Sequence, residues 1–281
     1  VHAITSFRGQ IIVAGQFTTA GGITANRIAT WNGTTWSPLG TGMDNTVRAL
    51  AVMGGALYAG GDFLTAGGIS ANRIARWTGT EWQPLGDGVN NSVYALAVLG
   101  DSLFAGGSFT GAGGITAQNF AKWSGGQWFV PAGFNDIVFT LAAHNNRIYA
   151  GGRFTQSGTT PLGYISVREG SSWLPLSGGT NNFVQTLSSE NDTLYVGGNF
   201  TMAGSVSAGY VARWVNGSWS SLGSGVNDFV FALSAVGGDL FAAGQFTSAG
   251  SVSSNRLAKW HNGTWEAVNS GLNNTVYALY A

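Results

Sequence analysis

The apolar positions fall into short runs closed by glycine. Val47-Arg48-Ala49-Leu50-Ala51-Val52 ends at Met53-Gly54-Gly55, and Ala56-Leu57-Tyr58-Ala59 ends at Gly60-Gly61. Two apolar runs of this length split by a glycine turn predict a β-hairpin. The small, glycine-rich stretch from Leu64 to Asn72 predicts a loop. Arg73-Ile74-Ala75-Arg76-Trp77 then alternates polar and apolar, Thr78-Gly79-Thr80 is a tight turn, and Glu81-Trp82-Gln83-Pro84-Leu85 reads as a fourth strand. Its proline suits an outer edge.

This unit recurs along the chain. Its phenylalanine stands at Phe17, Phe63, Phe109, Phe154, Phe200 and Phe246, spacings of 46, 46, 45, 46 and 46 residues. The repeats are approximately 1–46, 47–92, 93–137, 138–183, 184–229 and 230–275, with a partial unit at 276–281. A unit of this size buries too little surface to stand alone, so the repeats must stack, and the chain 1–281 is expected to be one domain. Four short antiparallel strands per unit, A to D, repeated radially, predict an all-β, six-bladed β-propeller with one extra A-type strand at the C-terminus. A superhelical stack of the same units is the alternative. Strand A carries small residues at Ala3, Ala49, Ala95, Thr140, Thr186 and Ala232 and is apolar on both faces, which makes it innermost. The repeated tryptophans on strand C (Trp31, Trp77, Trp123, Trp214, Trp260) and strand D (Trp36, Trp82, Trp128, Trp173, Trp219, Trp265) read as packing between blades. The repeat phenylalanine is expected to wedge toward the following blade.

The order Leu57-Tyr58-Ala59-Gly60-Gly61, then Trp77, then Trp82-x-x-Leu85, resembles the kelch repeat. The fuller pattern, from Gly-Gly-x-Phe through Ala-Asn-x-Ile-Ala-x-Trp to Trp-x-x-Leu-Gly, is similar to a kelch-like group found in large bacterial extracellular proteins and in fungal Rax2-type cell-polarity markers. The resemblance spans the whole chain. It implies a binding or scaffolding role with no family-wide active site. Kelch-fold copper oxidases use Tyr, His and Cys, and this chain has no Cys.

Composition narrows the partners. Charged residues make up only 9%, with 12 basic against 12 acidic, so phosphate neutralisation cannot supply affinity for nucleic acid. No apolar run is long enough for membrane insertion as a helix. The polar surface is built from Asn, Ser, Thr and Gln, which suits an extracellular or cell-surface protein. The chain opens at Val1 inside a strand pattern, without a signal-peptide pattern, and reads as a piece of something longer.

Positions that differ between repeats are the candidate site. One set lies at the second residue of strand A: His2, Arg48, Tyr94, Phe139, Gln185 and Phe231. The other precedes the repeat phenylalanine, at the end of strand B: Gln16, Asp62, Ser108, Arg153, Asn199 and Gln245. A and B are antiparallel, so both sets fall at one end of the sheet, around the expected channel mouth, where loops on a rigid scaffold carry binding. Free, solvated drift of exposed positions is the bland alternative.

Other motifs have quieter explanations. Each D–A connection holds an Asx pair (Asp44-Asn45, Asn90-Asn91, Asn135-Asp136, Asn181-Asn182, Asn227-Asp228, Asn273-Asn274), which turn capping explains. Calcium would need more carboxylates. His2, His144 and His261 lack metal spacing, and no acid pair, Ser elbow or phosphate loop is present. The sequons at Asn32, Asn216 and Asn262 fall on C–D turns. The expectation is a non-enzymatic module without cofactor or metal that binds a glycan or a protein. Alternatives are a structural bead self-associating through Val276–Ala281 by strand addition, and a polysaccharide-active enzyme.

Overall fold

A computed structural model describes residues 1–280. It has the expected fold class: all-β, with six four-stranded antiparallel blades of a β-propeller, each in the order A-B-C-D. Ala281, the last residue of the extra strand expected at the C-terminus, lies outside the described residues. Residues 276–280 form no strand ladder. Tyr277 packs on Phe231 at 5.2 Å.

The chain divides into two compact units, Val1–Gly133 and Phe134–Ala281. The first holds blades 1 to 3. Blade 2 is typical, with strands Val47–Met53, Ala56–Gly61, Ile74–Trp77 and Trp82–Pro84. Blade 1 begins at Ala3–Phe7 and blade 3 at Val93–Leu99. The second unit holds blades 4 to 6, whose A strands are Val138–His144, Val184–Glu190 and Val230–Val236.

Within each unit the strand-D tryptophan ties a blade to the one before it. The strand-D indole N–H reaches back 43 residues to a buried carbonyl: Trp82 to Leu39, Trp128 to Leu85, Trp219 to Leu176 and Trp265 to Leu222, at 2.8–3.0 Å. The strand-C tryptophan pairs across the C–D ladder with the strand-D one, rings 5.0–5.3 Å apart. The inter-blade reading of the tryptophans holds. The phenylalanine faces the other way from expectation. Phe63 is fully buried among Ile28, Leu39 and Met43 of the preceding blade. Likewise Phe200 packs with Ile165 and Leu176, and Phe246 with Val211 and Leu222. Blade 4 lacks a strand-C tryptophan, and there Trp173 packs at a tilt against Phe134 instead, at 4.6 Å.

The double glycine at the end of strand B is a packing requirement. A Cβ on Gly60 would stand 2.5 Å from Val93 of the next blade, and one on Gly61 would stand 2.1 Å from the Thr46 carbonyl. The segment read as a loop contains its own hairpin. Thr65–Ala66 pairs with Ile69–Ser70, and the pattern recurs in every blade. Gly67 and Gly68 turn it, with φ of +62° and +84°, the two positive values of a type I′ turn.

Candidate functional site

Strand A does not pair with strand B in simple alternation. Val47 sits opposite Gly61 and Ala49 opposite Gly60, so Arg48 is an extra residue. The same shift makes Tyr94, Phe139, Gln185 and Phe231 the extra residue of their strands. A β-bulge bends the strand and re-aims a side chain out of the pleat. In blade 1, His2 precedes the ladder and its N–H bonds the Ala14 carbonyl at 2.8 Å. The strand-B set is tied alongside. The N–H groups of Asp62, Ser108, Arg153, Asn199 and Gln245 donate to the carbonyl just before strand A, at 2.9–3.0 Å. Within each blade the two sets therefore meet at one end.

In the first unit the bulge residues form a charged cluster. Arg48 Nε donates to both Asp62 oxygens at 2.9 Å, and its Nη2 stands 2.7 Å from Oδ2. The guanidinium lies over the Tyr94 ring, 5.1 Å from its centroid. Burial works against ionising Asp62, but hydrogen bonds from Arg48 and Ser92 and the guanidinium charge outweigh it, so the carboxyl sits below its usual range. For Arg48 the bond to Asp62 acts first, and it is held more firmly protonated than usual. His2 is pushed down, first by burial, then by the charges of the Val1 amino group and Arg48.

In the second unit two of the three corresponding positions, Phe139 and Phe231, are aromatic, and the third is Gln185. Phe139 meets Phe183 edge-on at 6.1 Å, and Phe231 packs with Phe229 at 6.4 Å. Arg153, exposed, reaches the half-buried Asp136 at 3.7 Å. Gln16, Gln185, Asn199 and Gln245 make no side-chain hydrogen bond within the described chain, and Gln16 and Gln245 are exposed.

Sequence comparison of the repeats missed two further positions. The residue before strand A also varies and lies beside the two sets: Ser92 bonds Asp62, Phe183 meets Phe139 of the preceding blade, and Phe229 meets Phe231 of its own. The residue before strand C is Arg27, Arg73, Asn119, Tyr164, Tyr210 or Arg256, all with φ between 62° and 69°. Left-handed backbone at such bulky residues costs about 1 kcal/mol or more each. It is held because the backbone N–H and carbonyl are both used: Arg73 N–H to Phe63, and Gly61 N–H to Arg73.

The Asx pairs are structural. The first member staples the B–C hairpin of the blade that follows it. Asn227 Oδ1 accepts from the Thr247 and Ser248 N–H groups at 2.9 Å, and its Nδ2 donates to Thr247 Oγ1 at 3.0 Å. Asn90, Asn135 and Asn181 do the same. The second member caps the next N–H, as Asn91 does for Ser92. These oxygens are already occupied. Among the described residues no three His, Cys, Asp or Glu side chains gather as a metal-binding group.

The model of a β-propeller domain of unknown function (DUF5122) matches residues 9–29. No curated protein matches the chain. The fold is similar to the extracellular domain of a hybrid two-component system, BT4673, from B. thetaiotaomicron, with a TM-score of 0.68 and 16% identity over 100% of this chain and 35% of that one. The chain thus spans about a third of that domain's length. It is also similar to the WD40 β-propeller domain of Doa1, at TM-score 0.66, 13% identity and 98% and 84% coverage, and to the computationally designed Ika8 protein, at 0.61, 17%, 100% and 90%. At identities this low the likeness shows the fold alone.

Proposed function

We propose that this chain is a non-enzymatic binding module of an extracellular or cell-surface protein, of the kelch-like kind, and that it holds a glycan or protein partner at the bulge end of its blades. The observation that carries this reading is the contrast within one repeat. Tryptophan, phenylalanine and the double glycine recur because packing demands them, whereas the bulge position changes from Arg48 to Tyr94 to Phe139 to Gln185 to Phe231 on a backbone that does not change. A rigid frame bearing different side chains at equivalent points suits recognition of an asymmetric partner. Half-buried aromatics and a paired Arg–Asp add contact area at little entropic cost. Similarity to an extracellular sensor domain supports the location.

The test is a glycan array and a pull-down from secreted and surface proteins, run with the wild type and with Arg48→Ala, Tyr94→Ala and Arg153→Ala. Loss of at least tenfold in affinity in one or more variants is expected. Binding that survives all three, in chains that still fold, places the site elsewhere.

A further inference from the structure

A groove between blades 2 and 3, inside the first unit, is assigned no role by the bulge residues. It has two lobes that share Asp87, Gly113 and Ile115. One is a cavity of about 520 Å³ and the other of about 330 Å³. The walls are the D–A connection of blade 2 and the glycine-turned hairpin of blade 3, and strand-C Trp123 closes the smaller lobe.

Asp87 stands where the lobes join. Its backbone carbonyl is used, accepting from Asn72 Nδ2 at 2.9 Å, but its exposed carboxylate has no hydrogen-bond partner among the described residues. The carboxylate overlies the hairpin turn, with Oδ2 about 4.0 Å from where a Cβ on Gly114 would be. The frame does not need this acid. Equivalent positions in other blades are Thr41, Gly178, Ser224 and Ser270, and blade 3 lacks the residue.

The surrounding chemistry is mixed. Thr110 and Thr116 offer hydroxyls, and Arg73 balances the carboxylate, so no net charge selects an ion. Ile115, half exposed, and the half-buried Trp123 offer apolar surface along the same groove. A ligand that fits has hydroxyl donors on one edge and C–H groups on one face, is neutral, and is long enough for two lobes. We propose that this groove binds a neutral oligosaccharide, with Asp87 accepting from adjacent hydroxyls and Trp123 stacking on a sugar face. This site is independent of the bulge-end reading.

The experiment titrates the chain with neutral gluco-, manno-, galacto-, xylo- and chito-oligosaccharides by calorimetry and tryptophan fluorescence. At least one series should bind. Asp87→Asn should weaken it at least tenfold without changing the unfolding midpoint, and Ile115→Lys should do the same by filling the groove. Trp123→Phe should reduce the fluorescence change. Loss of sugar binding with Arg48→Ala while Asp87→Asn is unaffected moves the sugar to the bulge end and overturns the groove. Absence of binding to every series, or binding indifferent to both Asp87→Asn and Ile115→Lys, also overturns it.

Discussion

The pairing of Arg48 with Asp62 is the contact that most determines whether the bulge end is preorganised. Opposite unit charges about 4 Å apart attract by about 4 kcal/mol at an effective dielectric near 20. Two terms subtract from this. The side chains are only 31% and 20% exposed, so both lose hydration, and fixing a long arginine costs up to about 2 kcal/mol of rotamer entropy. The net coupling expected is about 1–2 kcal/mol, above the usual exposed pair because Nε and Nη2 both engage the carboxylate. A double-mutant cycle with Arg48→Met, Asp62→Asn and the double variant, followed by urea unfolding, measures it. Raising salt to 1 M should reduce but not abolish it, since the pair is partly shielded from solvent. A coupling below about 0.5 kcal/mol would refute the claim that the fork is rigidly held.

Three further outcomes follow from the same geometry. Ser254 is buried with a hydroxyl that finds no partner, whereas Ala25, Ala71, Ala117 and Ala208 fill the same place in other repeats. Ser254→Ala should therefore stabilise by about 1–2 kcal/mol and Ala208→Ser destabilise by a similar amount in denaturant titration. Asn227→Ala removes three hydrogen bonds from the blade 6 hairpin and should cost about 1–2 kcal/mol, with faster hydrogen exchange at Thr247 and Ser248. Burial lowers the pKa of both His144 and His2, so the unfolded chain binds more protons near pH 6.5 and stability should fall as pH drops through and below that value. Asp62, also lowered, adds a second loss only at lower pH, as its folded-state carboxylate is protonated. A melting temperature flat from pH 7.5 to pH 5 would contradict the histidine part.

The fold was legible because most packing demands recur in nearly every one of the six repeats. Strand order, the inter-blade role of Trp82 and its counterparts, and the convergence of the two variable sets all follow from spacing and alternation. What stayed hidden has physical reasons. The bulge at Arg48 leaves no mark, because Ala49, Leu50 and Ala51 suit both faces of a strand packed on each side, so alternation cannot reveal a slipped register. The direction of Phe63 is equally silent, since a period of 46 fits a wedge toward either neighbour. The B–C hairpin was read as a loop because its ladders are two residues long and depend on a staple from Asn90 or its equivalents some 20 residues earlier. The left-handed residues before strand C carry arginine and tyrosine, which local preference does not place there.

Once a partner is captured, hydrogen–deuterium exchange of the free and bound chain tests the central claim most directly. Protection should concentrate at residues 46–48, 62 and 92–94 of the first unit, or at the matching residues around Phe139, Phe183 and Phe231 of the second, with the strand-D tryptophan positions unchanged. Protection confined to the C–D turns, with the bulge residues exchanging as they do in the free chain, would contradict it.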